Sequence, residues 1–184
     1  MSIADIVARL FGGRRDDVDP NEDSLPEDDP RAWAGSEIRS VMIYLKDDRI
    51  YVFTMAFVGY RVHTLDGCRA QHAGDVRASD LGRDALILMQ ASGRTMSKRE
   101  HRRRDDPLAS VFGRRITSRF CKGMGLVSVT QPKPTEDIHI GPQQFQRTTP
   151  FPAGDPTIIS RDADAEQVGR AILEKLRESL QMNA

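Results

Sequence analysis

Two early runs of this chain alternate in the manner of strands. Ser40-Val41-Met42-Ile43-Tyr44-Leu45 and Ile50-Tyr51-Val52-Phe53-Thr54-Met55-Ala56-Phe57 are rich in β-branched and aromatic residues. They predict strands over Arg39 to Lys46 and Arg49 to Phe57. Asp47-Asp48 between them suits a two-residue hairpin turn. Gly59 breaks the second run, and Tyr60 to Leu65 reads as a third strand ending at the turn signal Asp66-Gly67. Met124 to Thr130 and Asp137 to Ile140 alternate again, with Pro132 to Thr135 turning the chain between them. Pro142 to Pro156, punctuated by Pro150 and Pro152, reads as loop. Thr157-Ile158-Ile159-Ser160 reads as a short buried strand.

Other stretches carry the helical period. Ser2 can cap a short amphipathic helix with Ile3, Ile6, Val7, Leu10 and Phe11 on one side, ended by Gly12-Gly13. Ser79 to Ser92 predicts a helix whose Ala85-Leu86-Ile87-Leu88-Met89 is apolar nearly all round, hence buried on most sides. Leu108 to Phe120 predicts a partly buried helix through Val111, Phe112, Ile116 and Phe120. The closing helix starts at a capping box, Asp164 with Gln167. Its apolar stripe is Val168, Ile172, Leu176 and Leu180, with Glu174, Lys175, Arg177 and Glu178 expected to face water.

One pattern occurs twice. Leu81-Gly82-Arg83-Asp84-Ala85 and Val168-Gly169-Arg170-Ala171-Ile172 each open a helical segment, and aligning the glycines sets Ser92 opposite Ser179. Glycine inside a helix costs roughly 1 kcal/mol relative to alanine. Two at equivalent places therefore predict close approach of each helix backbone to something flat, either the sheet, the first expectation, or a neighbouring helix. Hairpins dominate the strand order. The fold class that follows is α+β: one domain, a mainly antiparallel sheet flanked by helices, with room for two related strand-strand-helix halves. Residues 1–37 form an N-terminal helix and acidic loop, and 38–184 the α+β domain.

Composition narrows the function. The 184 residues suffice for one core, and the formal net charge is zero. No global field draws the molecule to nucleic acid or to an anionic membrane. Charge is nonetheless segregated. Asp16 to Asp29 holds eight acids and no bases, while Arg94 to Lys122 holds ten bases against three acids. The acidic stretch, with Pro20 and Pro26 and few apolar residues, reads as a mobile loop able to order on a partner. Arg94 to Asp106 has no apolar face and reads as a solvated helix or loop. Two cysteines, Cys68 and Cys121, make no disulfide framework. Ser2 to Phe11 lacks the form of a secretory signal, and Tyr51 to Tyr60 is too short to span a bilayer. A cytoplasmic protein is expected.

Candidate chemistry is sparse. His63, Cys68 and His72 fit no standard zinc spacing, so no metal and no cofactor is expected. His139 alternates with Ile138 and Ile140 and reads as a strand-face side chain, and His101 as solvated. Gly123-Met124-Gly125 is too short for a phosphate loop and reads as a turn leading into a strand. Asp47-Asp48 and Glu136-Asp137 stand where nuclease carboxylates could, but turn acids are common. No catalytic residue is expected. The basic run lacks interleaved aromatics, so nucleic acid is not the expected partner.

Four stretches carry a resemblance. They are Ala78-Ser79-Asp80-Leu81-Gly82-Arg83-Asp84-Ala85-Leu86, Phe120 to Val129 with Lys122-Gly123, Ile138-His139-Ile140-Gly141-Pro142, and Ile158 to Ser179. In order and spacing they resemble the contact-dependent growth inhibition (CDI) immunity proteins of bacteria. Residues 1–37 and 99–104 fall outside the resemblance. The resemblance implies a non-catalytic protein that captures the C-terminal toxin domain of a CdiA-type effector, often a nuclease, and blocks it. Acidic side chains mimic phosphate, so Glu22, Asp23, Glu27, Asp28 and Asp29, with Trp33 beside them, are the expected toxin-binding residues. The alternatives are a nucleic-acid-binding accessory protein using 94–122, or a small hydrolase or nuclease working through His63 or Asp48.

Overall fold

The computed structural model describes residues 38–58, 62–113 and 116–184. The Ser2–Phe11 helix, the acidic loop and Trp33 lie outside the described residues. The elements in chain order are β1 (Arg39–Lys46), β2 (Arg49–Val58), β3 (Val62–Ala73), α1 (Ala78–Gln90), β4 (Arg94–Met96), α2 (Lys98–Arg103) and α3 (Pro107–Phe112). There follow α4 (Ser118–Cys121), β5 (Gly125–Gln131), β6 (Ile138–Gln146), β7 (Thr149–Pro152), β8 (Thr157–Ile159) and α5 (Ala165–Met182).

One eight-stranded sheet runs β3-β2-β1-β5-β6-β7, with β8 also on β6 and β4 on the end of β2. Every pairing is antiparallel except β2 with β4. Asp47 and Asp48 both take positive φ, 50° and 57°, as a tight hairpin with matched twist requires. Strand alternation then sorts the side chains. Val41, Ile43, Ile50, Val52, Val127, Val129, Ile138 and Ile140 face α1 and α5, meeting Leu81, Ala85, Met89, Val168, Ile172 and Leu176. Met42, Tyr44, Tyr51, Phe53, Met55 and Leu126 face the other way, against Phe120 and Met124 and the partly buried Leu108, Val111, Phe112 and Ile116.

The two glycines do not meet the sheet. They meet each other's helices. A Cβ on Gly82 would collide with the Ala165 carbonyl oxygen, and one on Gly169 with the Ala78 carbonyl oxygen. Each alanine stands four residues before the other glycine, so the crossing of α1 and α5 is reciprocal. The two serines extend that symmetry. Ser40 N–H donates to Ser92 Oγ at 2.8 Å, and Leu126 N–H to Ser179 Oγ at 2.8 Å. In the β1–β5 register Ser40 lies opposite Thr130 and Tyr44 opposite Leu126, which puts the local two-fold at the Met42–Ser128 pair. The halves are β1-β2-β3-α1 and β5-β6-β7-β8-α5, so each has more than the two strands expected.

Other expectations need correction. Asp66-Gly67 is no turn, because β3 runs through it on the β2 ladder. Pro142 to Pro156 is mostly strand. Pro142 O accepts from Ala153 N, so the missing Pro142 N–H lies on that side too, away from β5. β8 is an edge rather than buried, with Ile158 59% exposed. On α1, which is buried on most sides as expected, Ile87 is the exception at 56% exposed. Leu108 to Phe120 splits into two helices at Gly113, which takes φ 64°. Lys175 does not stand in water: its side chain is 12% exposed and meets Glu178 at 2.7 Å.

Candidate functional site

Most of the basic run is exposed, as expected of a solvated helix or loop, but it is tied down by a residue from another strand. Between Thr54–Gly67 and Met55–Leu65 the β2–β3 register shifts, leaving Asp66 outside the ladder. A bulge re-aims the extra side chain. Asp66 Oδ1 accepts from Arg94 Nε at 3.0 Å, Oδ2 accepts from Arg69 Nη2 at 3.1 Å, and Arg104 Nη1 stands 3.9 Å away. Arg94 also reaches Glu100 at 2.8 Å. The hydrogen bonds from Arg94 hold the Asp66 carboxyl below the usual carboxylate range, against the opposing effect of its burial. Met96, fully buried, anchors β4 beneath this cap. Ser97 begins α2, its Oγ accepting from Glu100 N–H. His101 is not solvated as expected. Its Nδ1 is buried without a hydrogen-bond partner, and burial beside Arg104 lowers its pKa. Arg99 and Arg103 stay exposed on α2. The segment thus turns Arg104 inward and ties the exposed Arg94 to Asp66 and Glu100, which weakens the case for a phosphate-binding strip.

A second candidate lies on the sheet. The face opposite α1 and α5 is covered over β1, β2 and β3 by apolar side chains from residues 108–124. Further along that face the side chains turn polar. Thr130 pairs with Ser40 on one side and His139 on the other, and His139 pairs with Ile158. Ser40 Oγ and Thr130 Oγ1 lie 3.0 Å apart, and Gln143 Nε2 donates to Ser128 Oγ at 3.0 Å. His139 therefore sits on a strand face, as its alternation predicts. The row bonds within itself and is partly buried, Ser40 at 4% and Gln143 at 6% exposed, and it ends at the exposed Ile158.

The remaining sequence candidates find structural work. His72 Nε2 stands 3.1 Å from Asp84 Oδ2, bringing β3 close to α1, though the nitrogen is buried without hydrogen-bond geometry. Burial raises the pKa of the Cys68 and Cys121 thiols, which keeps both poor nucleophiles. The His63 side chain is outside the described set. Among the described residues no three His, Cys, Asp or Glu side chains gather to hold a metal. Asp48 O accepts from Gly74 N–H, and Asp137 Oδ1 from Arg161 N–H, so these turn acids brace loops. Gly123, at φ 64°, leads into β5 and donates to Asn183 O. Glu22, Asp23, Glu27, Asp28, Asp29 and Trp33 all lie outside the described residues. Among those described, no helix is long and apolar enough to cross a membrane.

Solved structures share this architecture. One is a protein of unknown function, NMB0488, from Neisseria meningitidis. It aligns with a TM-score of 0.60 at 17% identity, covering 78% of this chain and 96% of that one. Another is a chain of the CdiA-CT/CdiI toxin and immunity complex from Yersinia pseudotuberculosis. There the TM-score is 0.57 at 19% identity, covering 78% of this chain and 97% of that one. No protein-family model and no curated protein sequence matches the chain. At such identities the likeness is one of fold.

Proposed function

We propose that this chain is an immunity protein, which binds the C-terminal toxin domain of a CdiA-type effector and neutralises it. The observation carrying the reading is a fold shared with a chain of a CdiA-CT/CdiI complex over nearly all of that chain's length. Motif order supports it from the sequence side. The chain acts by occlusion, one copy per toxin domain, in the cytoplasm and without turnover of its own.

The toxin in this reading is a nuclease, whose phosphate-binding site is basic. Fast capture then calls for opposite charge, and slow release for a few buried anchors. Glu22, Asp23, Glu27, Asp28 and Asp29 supply the charge and Trp33 an anchor. The deciding experiment co-expresses the chain with the toxin domain encoded beside it. Growth protection together with recovery of a stable complex is expected. Failure of both binding and protection refutes the reading.

A further inference from the structure

α2 is held to the domain without an apolar side chain of its own. Between Met96 and Leu108 the sequence is polar or charged apart from Pro107. Met96, fully buried, fixes the chain before the helix. Arg104 fixes it after, donating to Thr64 Oγ1 at 2.9 Å and to the Asp66 backbone oxygen at 3.5 Å. Between these anchors Arg99, Glu100, Arg102 and Arg103 are exposed, and of the helix side chains described only His101 is half-buried. A segment with so little apolar surface to bury belongs to the low-stability end of a fold.

His101 is a poor place for a second proton. Its Nδ1 is buried and has no hydrogen-bond partner among the described residues. In the neutral tautomer protonated on Nε2, that nitrogen is a bare lone pair. The imidazolium would put a buried N–H there with no acceptor. The charged groups around α2 give no relief. Arg104 is positive and acts directly on the ring. Asp66 of β3 already accepts from Arg94 and Arg69, and Glu100 pairs with Arg94. Asp106 accepts from Leu108 N–H at the start of α3, and Asp105 is exposed. Burial first, and then Arg104, holds the His101 pKa below that of an ordinary histidine.

We propose that α2 is an acid-sensitive latch: protonating His101 expels its ring and unwinds α2 between Met96 and Arg104, while the sheet and the α1–α5 layer stay folded. In the open segment the ring reaches water and takes its proton at the ordinary value of about 6.5. The latch is therefore at full strength above that value and weakens as pH falls below it. Asp66 stays ionised through this window, because its carboxyl titrates below the usual carboxylate range. Arg99 and Arg103 are exposed on α2, so the latch decides whether these two cations are presented in a fixed geometry.

The test is nuclear magnetic resonance on the full chain, titrated from about pH 8 to about pH 4.5. The His101 ring signals give its midpoint. The amides of 98–103 report the helix through their shifts and their protection from hydrogen exchange. In the wild type both should change together, at a midpoint below about 6.5, while the amides of β1, β5 and α5 keep their protection. His101→Gln cannot take the proton, so its α2 should stay formed across the range. The wild-type titration decides the matter if that variant lacks α2 at neutral pH. The proposal is overturned if the ring titrates as an ordinary histidine or not at all in this range. It is also overturned if the helix amides hold through the ring's titration, or if His101→Gln loses a formed α2 at the same pH.

Discussion

Gly82 and Gly169 lie at the crossing of α1 and α5, each beneath a carbonyl of the other's helix. The contact is backbone to backbone, and neither position has space for a methyl group. Gly169→Ala should therefore destabilise the fold, although alanine is the better helix former by roughly 1 kcal/mol. Gly169→Leu should cost at least the ~1–3 kcal/mol typical of overpacking. Chemical denaturation midpoints measure both. Equal or higher stability in Gly169→Ala would refute the close crossing.

Ser179 is fully buried and joins three elements. Its Oγ accepts from Leu126 N–H, donates to Gln143 O at 2.6 Å and accepts from Asn183 Nδ2 at 3.2 Å. Ser179→Ala strands a buried strand amide, which typically costs about 1–3 kcal/mol. Ser92→Ala removes the counterpart bond at a less buried place and should cost less. Urea unfolding of the two variants checks the order, and a reversed ranking would contradict the burial argument.

Asp66 has its folded pKa depressed by the arginines around it. Its contribution is present above the unfolded value, about 3.9 for an aspartate, and is lost as pH falls through the folded value. The stability gap between wild type and Asp66→Asn should therefore be flat near neutrality and close only in acid. Denaturation curves from pH 7 down to about pH 3 test this. A gap that closes already above pH 6 would assign it to another group.

The acidic stretch makes a kinetic prediction about the proposed complex. Neutralising Glu22, Asp23, Glu27, Asp28 and Asp29 together should slow association with a basic toxin domain. It should also flatten the dependence of that rate on salt, with the fold of 38–184 unchanged. Association rates at two ionic strengths provide the measurement. An unchanged rate removes these acids from the interface and leaves the immunity reading to the binding experiment.

What was legible in the sequence was local. Asp47-Asp48 fixed a hairpin through two residues that tolerate positive φ, and Asp164 with Gln167 marked the start of α5 by a reciprocal pair of hydrogen bonds. Asp66-Gly67 misled for the same reason, since its turn chemistry yielded to the β2 ladder on both sides. The tether of the basic run was not legible, because its partner, Asp66, lies 28 residues from Arg94 and belongs to another strand. The polar row on the sheet was illegible, because Ser40 and Thr130 become neighbours only across a separation of 90 residues. The glycine repeat announced a close contact but not its partner, since periodicity tells which face is buried and not what covers it. The acids expected to bind the toxin lie outside the described residues, so the candidate surfaces came from the fold.

The position of β1 fixes an order of events in synthesis. It sits between β2, which follows it directly, and β5, which leaves the ribosome some eighty residues after it. Until then a nascent chain holds β1, β2, β3 and α1 with the inner strand still an edge and Gly82 facing no helix. Its apolar layer of Val41, Ile43, Leu81 and Ala85 stays half covered, the condition in which a growing polypeptide most needs a chaperone. The central strand of the finished protein is thus the exposed strand of the unfinished one.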